Sequence, residues 1–261
     1  LATLLSCPTY QGVANCDYTQ PAMDSCLRAL ALVSLVYIAN GARLLSSTSV
    51  FGHMSTAGVT VRDAARDFDY FMFVRQWPGS FCSKHACPLV SNHGFHFTIH
   101  GLWPNRKDGT WPQFCDTDYD FEEDKIDDLL DELKSEWPTV YDSYEEFWDH
   151  EWSKHGTCAL DVFPSEHSYF KSILRLHRQY DLAAALGQAG IVPSTKVVYR
   201  TKDLSKAIYD MYGVRPLVHC SNGQLSEIWI CIDKKLQPFD CDASHEHNPC
   251  QKVTIPPFST N

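Results

Sequence analysis

The chain has 261 residues, of which 44% are hydrophobic, with 22 basic and 32 acidic side chains, a net charge of −10 and eleven cysteines. So acidic a balance counts against tight, non-specific polyanion binding, which usually advertises a basic patch. Its longest apolar run, Ala29 to Ala39, is eleven residues, about half of what a bilayer crossing needs, so no membrane span is expected.

Residues 1–22 precede the first methionine, Met23, and show no clear periodicity. From Met23, Arg28 leads into the apolar run and then into Ala39-Asn40-Gly41-Ala42, the pattern of a secretory signal peptide over 23–42 with cleavage near Gly41 to Ser47. The expected organisation is a leader over 1–45, a flexible arm or pro-segment over 46–66, and a single domain over 67–261. Omitting 1–45 removes Arg28, Arg43, Asp17 and Asp24, so the net charge stays at −10. Cys7, Cys16 and Cys26 lie in the leader, and eight cysteines remain. An even number behind a signal peptide implies an oxidising compartment and four bridges, for which sequence alone allows about 105 pairings. No Asn-x-Ser/Thr glycosylation acceptor occurs.

Within the domain, Phe68 to Trp77 is aromatic-rich and strand-like, ending at Pro78-Gly79. Phe95, Phe97 and Ile99 alternate with His96, Thr98 and His100, a half-buried strand ending at Gly101 with His100 projecting from its end. Gly109 to Tyr119 is loop. Phe121 to Trp137 is expected to be one helix, with Ile126, Leu129, Leu130, Leu133 and Trp137 on a shared face. Asp116, Asp118 and Asp120 imitate the start of a calcium loop, but Phe121 stands where that loop needs glycine, so a solvated acidic helix start is the better reading.

Ser143 with Glu146 reads as a capping box that opens a helix, and Gly156 is placed to end it. At about 100° per residue, Phe147, His150, Glu151 and Lys154 share one face with His155 at its edge, while Trp148 and Trp152 face the core. Convergent titratable groups of this kind mark sites. A zinc helix of the H-E-x-x-H type is excluded by spacing: His150 and His155 are five apart, which turns the second ring about 140° away from the first.

Further helices follow, one opening at Pro164-Ser165, a shorter one ending at Gly190, and one capped by Thr201 that reaches Gly213. Two strands, Leu217 to Ser221 and Leu225 to Ile232, join through Asn222-Gly223, a strong hairpin signal. Strands on either side of a helix-rich middle indicate an α+β domain: a central antiparallel β-sheet flanked by helices and stapled by four disulfides.

The segments His100-Gly101-Leu102-Trp103-Pro104 and His150-Glu151-Trp152-Ser153-Lys154-His155-Gly156-Thr157-Cys158 resemble the two active-site segments of the ribonuclease T2 family. The likeness runs from about Phe68 to Cys250 and is nearest to plant-type members. It implies bridges Cys82–Cys87, Cys115–Cys158, Cys220–Cys250 and Cys231–Cys241. It also implies an endoribonuclease of the secretory route, extracellular or vacuolar, that acts as a monomer on single-stranded RNA without metal or other cofactor.

Cleavage of RNA without metal needs a base for the 2′-hydroxyl proton, an acid for the departing 5′-oxygen, and donors for the charge between them. The resemblance gives His155 the role of base and His100 that of acid. Glu151 and Lys154 would stabilise the pentacoordinate phosphate, and His150 would hold the scissile group. The product would be a 2′,3′-cyclic phosphate, hydrolysed further to a 3′-phosphate. Phe147 resembles a base-stacking position, and Trp103, Asn105, Gln76 and Thr139 match other base-contacting positions. The alternative is a storage, defence or self-incompatibility-type protein on the same scaffold with weak catalysis. The retention of both histidines speaks against it.

Overall fold

The computed structural model describes residues 66–83, 87, 96–139, 143–243 and 250–258. The expected leader, the signal peptide and the arm up to residue 65 lie outside the described residues; Arg66 pairs with Asp116. No helix among the described residues is long and apolar enough to cross a membrane.

Seven strands form one sheet. In chain order they are β1 (Tyr70–Gln76), β2 (Thr98–Asn105), β3 (Ser194–Arg200), β4 (Leu217–Ser221), β5 (Gln224–Asp233), β6 (Pro238–Phe239) and β7 (Lys252–Ile255). The main path is β2-β1-β5-β7-β3, and β4 and β6 also pair with β5. All pairings are antiparallel except the short β5–β7 contact. The sheet is therefore the mixed α+β arrangement expected, with β5 as its hub. The β4–β5 hairpin turns at Asn222 and Gly223, both at positive φ.

Strand alternation sorts side chains between two cores. Phe71 and Phe73 of β1 enter the main core, whereas Tyr70, Met72 and Val74 join Leu217 and Cys231 on the opposite face. The main core is covered by helices: α1 (Pro78–Phe81), α2 (Leu130–Glu136), α3 (Tyr144–Lys154), α4 (Glu166–Gln179), α5 (Leu182–Gln188) and α6 (Thr201–Tyr212). Trp77, Trp137, Trp148 and Trp152 are each at most 1% exposed within it. At about 25 cal/mol per Å² of apolar surface, these four rings rank among the largest single contributors to the fold.

Three elements differ from expectation. The single helix expected over Phe121 to Trp137 is a 3₁₀ segment, Glu123–Leu129, followed by α2, with a break in helical geometry at Ile126. The acidic residues crowded here repel one another along a regular helix, while Ile126 and Leu129 remain buried on either side of the break. The strand expected to stop at Gly101 continues to Asn105; Pro104 is tolerated because β2 is an edge strand. Gly156 does not end α3 through a left-handed turn. His155 is the C-cap, and Gly156 opens a 3₁₀ turn, Gly156–Ala159; glycine is needed at that position because a Cβ there would lie 2.2 Å from the Trp152 ring.

The structure forms the disulfides Cys82–Cys87, Cys115–Cys158, Cys220–Cys250 and Cys231–Cys241. The second joins the loop after β2 to the turn after α3, reinforced by the Phe114 N–H, which donates to the Lys154 carbonyl at 3.0 Å. Two segments far apart in sequence are thereby fastened beside the same cleft.

Candidate active site

His100 owes its orientation to an irregularity in β2. Val74 pairs with Gly101 and Arg75 with Ile99, so His100 is the unpaired extra residue of a β-bulge. Bulges bend the strand and re-aim a side chain, and they recur beside active sites. The Trp137 indole donates to the His100 carbonyl at 3.0 Å and fixes the bulged backbone. On the ring side, His100 Nδ1 lies 2.7 Å from Glu227 Oε1.

The opposing wall is α3. Ser143 Oγ accepts from the Glu146 N–H and starts the helix, and Trp148 and Trp152 anchor its inner face. Phe147, His150, Glu151, Lys154 and His155 then line, with His100, Trp103 and Glu146, one depression of about 400 Å³. Trp103 stands at its centre. Its ring stacks on His155 at 5.2 Å between centroids, meets His100 edge-on at 4.9 Å, and its Nε1 donates to Glu151 Oε2 at 3.0 Å. Glycine is required at 101, since a Cβ there would fall 2.0 Å from Glu151 Oε2 and 2.3 Å from Trp103 Nε1.

Electrostatics divides the two histidines. Burial would lower the His100 pKa, but the Glu227 bond and charge, with help from Glu151, outweigh it, and the net direction is upward. His155 is 5% exposed; burial first, then Lys154, His150 and His100, push its pKa well below the ordinary value. His150 is also lowered, by burial and then by Lys154 and His100. Glu151, 1% exposed, is raised to about 7 by burial, which outweighs His100, Trp103 and Lys154. The pocket therefore holds one imidazole poised to stay protonated, one poised to stay neutral, and a carboxyl that titrates near neutrality. Such a set can move a proton at each end of a reacting group.

A second cavity of about 490 Å³ adjoins the first and shares Trp103, Lys154 and His155 with it. Tyr70 and Met72 of β1, Trp229 of β5, and Asn105, Asp108 and Trp111 also line it. Trp111 is 53% exposed. An aromatic-lined, partly open chamber of this size suits a flat ring. Of the expected base-contacting residues, Trp103 and Asn105 border this chamber and Phe147 borders the first pocket. Gln76 and Thr139 are not among the described residues lining either; Thr139 is fully buried.

Residues that sequence reading passed over include Glu227, Trp229, Tyr70, Met72 and Trp111. One signal was available: Glu227 and Trp229 lie two apart in a strand, so they share a face.

One trio of metal-ligating side chains occurs among the described residues, His96, Glu136 and His177, outside this pocket. The two Nε2 atoms lie 2.6 and 2.9 Å from Glu136 Oε2. Two features oppose a bound cation: the buried Arg75 guanidinium is 3.3 Å from His177 Nε2, and His177 Nδ1 has no acceptor to orient the ring. The trio and Arg75 form a buried polar node in which both imidazoles converge on one carboxylate oxygen.

Comparison with known proteins agrees with this geometry. A sequence model of the Ribonuclease T2 family matches residues 68–241. The chain is 41% identical to extracellular ribonuclease LE of Solanum lycopersicum over 189 residues, 68% of this chain and 82% of that protein. It is 36% identical to intracellular ribonuclease LX of the same species over 210 residues, 76% of this chain and 87% of the relative. The solved structure of RNase NT in complex with 5′-AMP superposes with a TM-score of 0.68 at 34% identity, covering 74% of this chain and all of that one. Family match, identity and fold agree: the chain belongs to the ribonuclease T2 family and is an RNA endonuclease.

Proposed function

We propose that the protein cleaves single-stranded RNA by metal-independent transphosphorylation, with His155 as general base and His100 as general acid. Neutral His155 takes the proton from the 2′-hydroxyl, whose oxygen attacks the adjacent phosphorus. Protonated His100 delivers a proton to the 5′-oxygen as its bond to phosphorus breaks. The products are a 2′,3′-cyclic phosphate and a free 5′-hydroxyl; slower hydrolysis, with the two histidines exchanging roles, yields a 3′-phosphate. DNA lacks the attacking hydroxyl and is not a substrate.

The observation that carries this reading is the opposite displacement of two imidazoles around one tryptophan. Lys154 supplies positive charge to the phosphorane-like state, and His150 holds the scissile phosphate. Glu151, with its pKa near 7, acts in its protonated form as a donor to a phosphoryl oxygen. A base enters the chamber between Trp103, Trp111 and Tyr70, where stacking tolerates many sequences. The four bridges favour the secretory route, to the extracellular space or the vacuole.

Steady-state cleavage of an RNA dinucleotide by folded His100→Ala and His155→Ala variants tests the assignment. Each should lose at least about 100-fold in turnover, the lower end for general acid–base groups. Near-normal turnover in either removes that residue from its role.

A further inference from the structure

We propose that Glu227 is the positioning residue of the general acid: its carboxylate fixes the His100 ring so that Nε2 faces the substrate, and keeps that ring protonated. The proposal rests on the role of His100 set out above.

Glu227 reaches His100 from two strands away. Its own strand, β5, pairs with β1, and β1 pairs with β2, so the side chain spans β1 to meet the bulged histidine. Both carboxylate oxygens are engaged. Oε1 lies 2.7 Å from His100 Nδ1, and Oε2 accepts from Trp229 Nε1 at 2.8 Å. The carboxylate is thus held at two points, and only 16% of the side chain is exposed. A second bulge, between His219 and Cys220 opposite Glu227 and Leu225, lies beside it on the same hairpin. With Trp137 fixing the His100 carbonyl, the ring is constrained at its backbone and at one nitrogen. The remaining nitrogen is left for the pocket.

The charges facing this pair come from three elements. Glu227 itself is on β5; Glu151, Lys154 and His150 come from α3, with His155 at its cap; His219 comes from β4, stacked 4.0 Å from Trp229. Burial raises the Glu227 pKa, but the bonds to His100 and Trp229 and the His219 charge outweigh it, so the group is held ionised. An ionised carboxylate against Nδ1–H selects the tautomer and stabilises the imidazolium, the form a general acid must hold before reaction. Lys154 acts in the opposite sense. Removal of the Glu227 charge therefore leaves His100 with burial and Lys154 opposed only by Glu151.

The test is Glu227→Gln, which keeps the shape and removes the charge, read by two measurements on the folded enzyme. One is the NMR titration of the His100 imidazole; the other is the alkaline limb of kcat/KM against pH. Both should move to lower pH by at least about one unit, the lower bound for loss of an adjacent opposite charge. Activity should persist at acid pH and fall at least about 10-fold near neutrality. In the His100→Ala background, the substitution should cause no further loss. If the titration and the limb both stay in place, the proposal is overturned. If the titration moves and the limb does not, also in a Glu151→Gln background where carboxyl ionisation cannot contribute, the acid role of His100 falls, and the proposal with it, while the bond itself stands. The native enzyme supplies an independent readout should the variant fail to fold. Its neutral His100 should carry the proton on Nδ1, and nitrogen shifts showing Nε2–H would overturn the proposal.

Discussion

Glu151 carries two opposed demands, because an ionised carboxylate beside a phosphorane repels it while a protonated one donates to it. Its pKa near 7 places the useful form on the acid side of neutrality. Glu151→Gln, a permanent donor, should keep turnover within about 10-fold of native at neutral pH. Glu151→Ala should lose about 100-fold or more. Turnover against pH for both variants checks this; equal losses would show that the carboxyl does not act as a donor. Across the pH range, the proposed mechanism requires neutral His155 above its depressed pKa and protonated His100 below its raised one. The active window therefore extends to both sides of 6.5. Glu151 ionisation adds to the alkaline decline, so His100→Ala should remove only the His100 share of that limb. The two motifs offered these residues as candidates, and the fold brings them to one pocket. Their pKa directions were not legible in the motifs, because burial and Glu227 arise only from tertiary packing.

At the scale of elements, the site is a join between an edge strand and one helix. The helix was readable from Ser143, the paired tryptophans and the clustered polar face, since all lie within one short stretch. The bulge at His100 was not, because a bulge is defined by the register of a partner strand, and β1 lies more than twenty residues away in sequence. Likewise no local signal told that Tyr70, Met72 and Trp229 would line a chamber beside the motifs, because they come together only across paired strands. Cys115–Cys158 secures the join, closing a loop of 43 residues. In the chain-entropy account such a loop is worth about 4 kcal/mol. Cys115→Ala with Cys158→Ala should lower the melting temperature by about 8–15 °C at this domain size. It should also reduce turnover, since the loop that carries Phe114 is released from the Lys154 carbonyl. A melting temperature within about 2 °C of native would show that the bridge contributes little.

At the scale of the molecule, acid should weaken the fold through the polar node that ties β1, α2 and α4 together. His177 is lowered to about 3, by burial first and then by Arg75, so the folded state holds it neutral. Between pH 6.5 and about 3 the unfolded chain binds a proton at this position and the folded chain does not, so stability falls as pH falls. The slope approaches about 1.4 kcal/mol per pH unit. Glu136 is held far below the usual carboxylate range by its bonds from His177 and His96. Its contribution is complete above 4.5 and declines in the same direction below it. Urea unfolding of His177→Gln and native protein between pH 7 and 4.5 should show a shallower dependence in the variant; equal slopes would remove His177 as the source. Composition and strand–helix order made the α+β class legible. The node was hidden because Arg75, His96, Glu136 and His177 are scattered over about a hundred residues and meet only in the fold.

The central claim concerns which bonds are made and broken, and product ends report this directly. Purified protein should be incubated with a short single-stranded RNA in excess EDTA, and the early products resolved by mass and phosphorus NMR. The account predicts undiminished cleavage, 2′,3′-cyclic phosphate appearing first, free 5′-hydroxyl ends, later conversion to 3′-phosphate, and no cleavage where the 2′-hydroxyl is replaced by hydrogen. Products with 5′-phosphate ends, or activity abolished by the chelator and restored by a divalent cation, would contradict it.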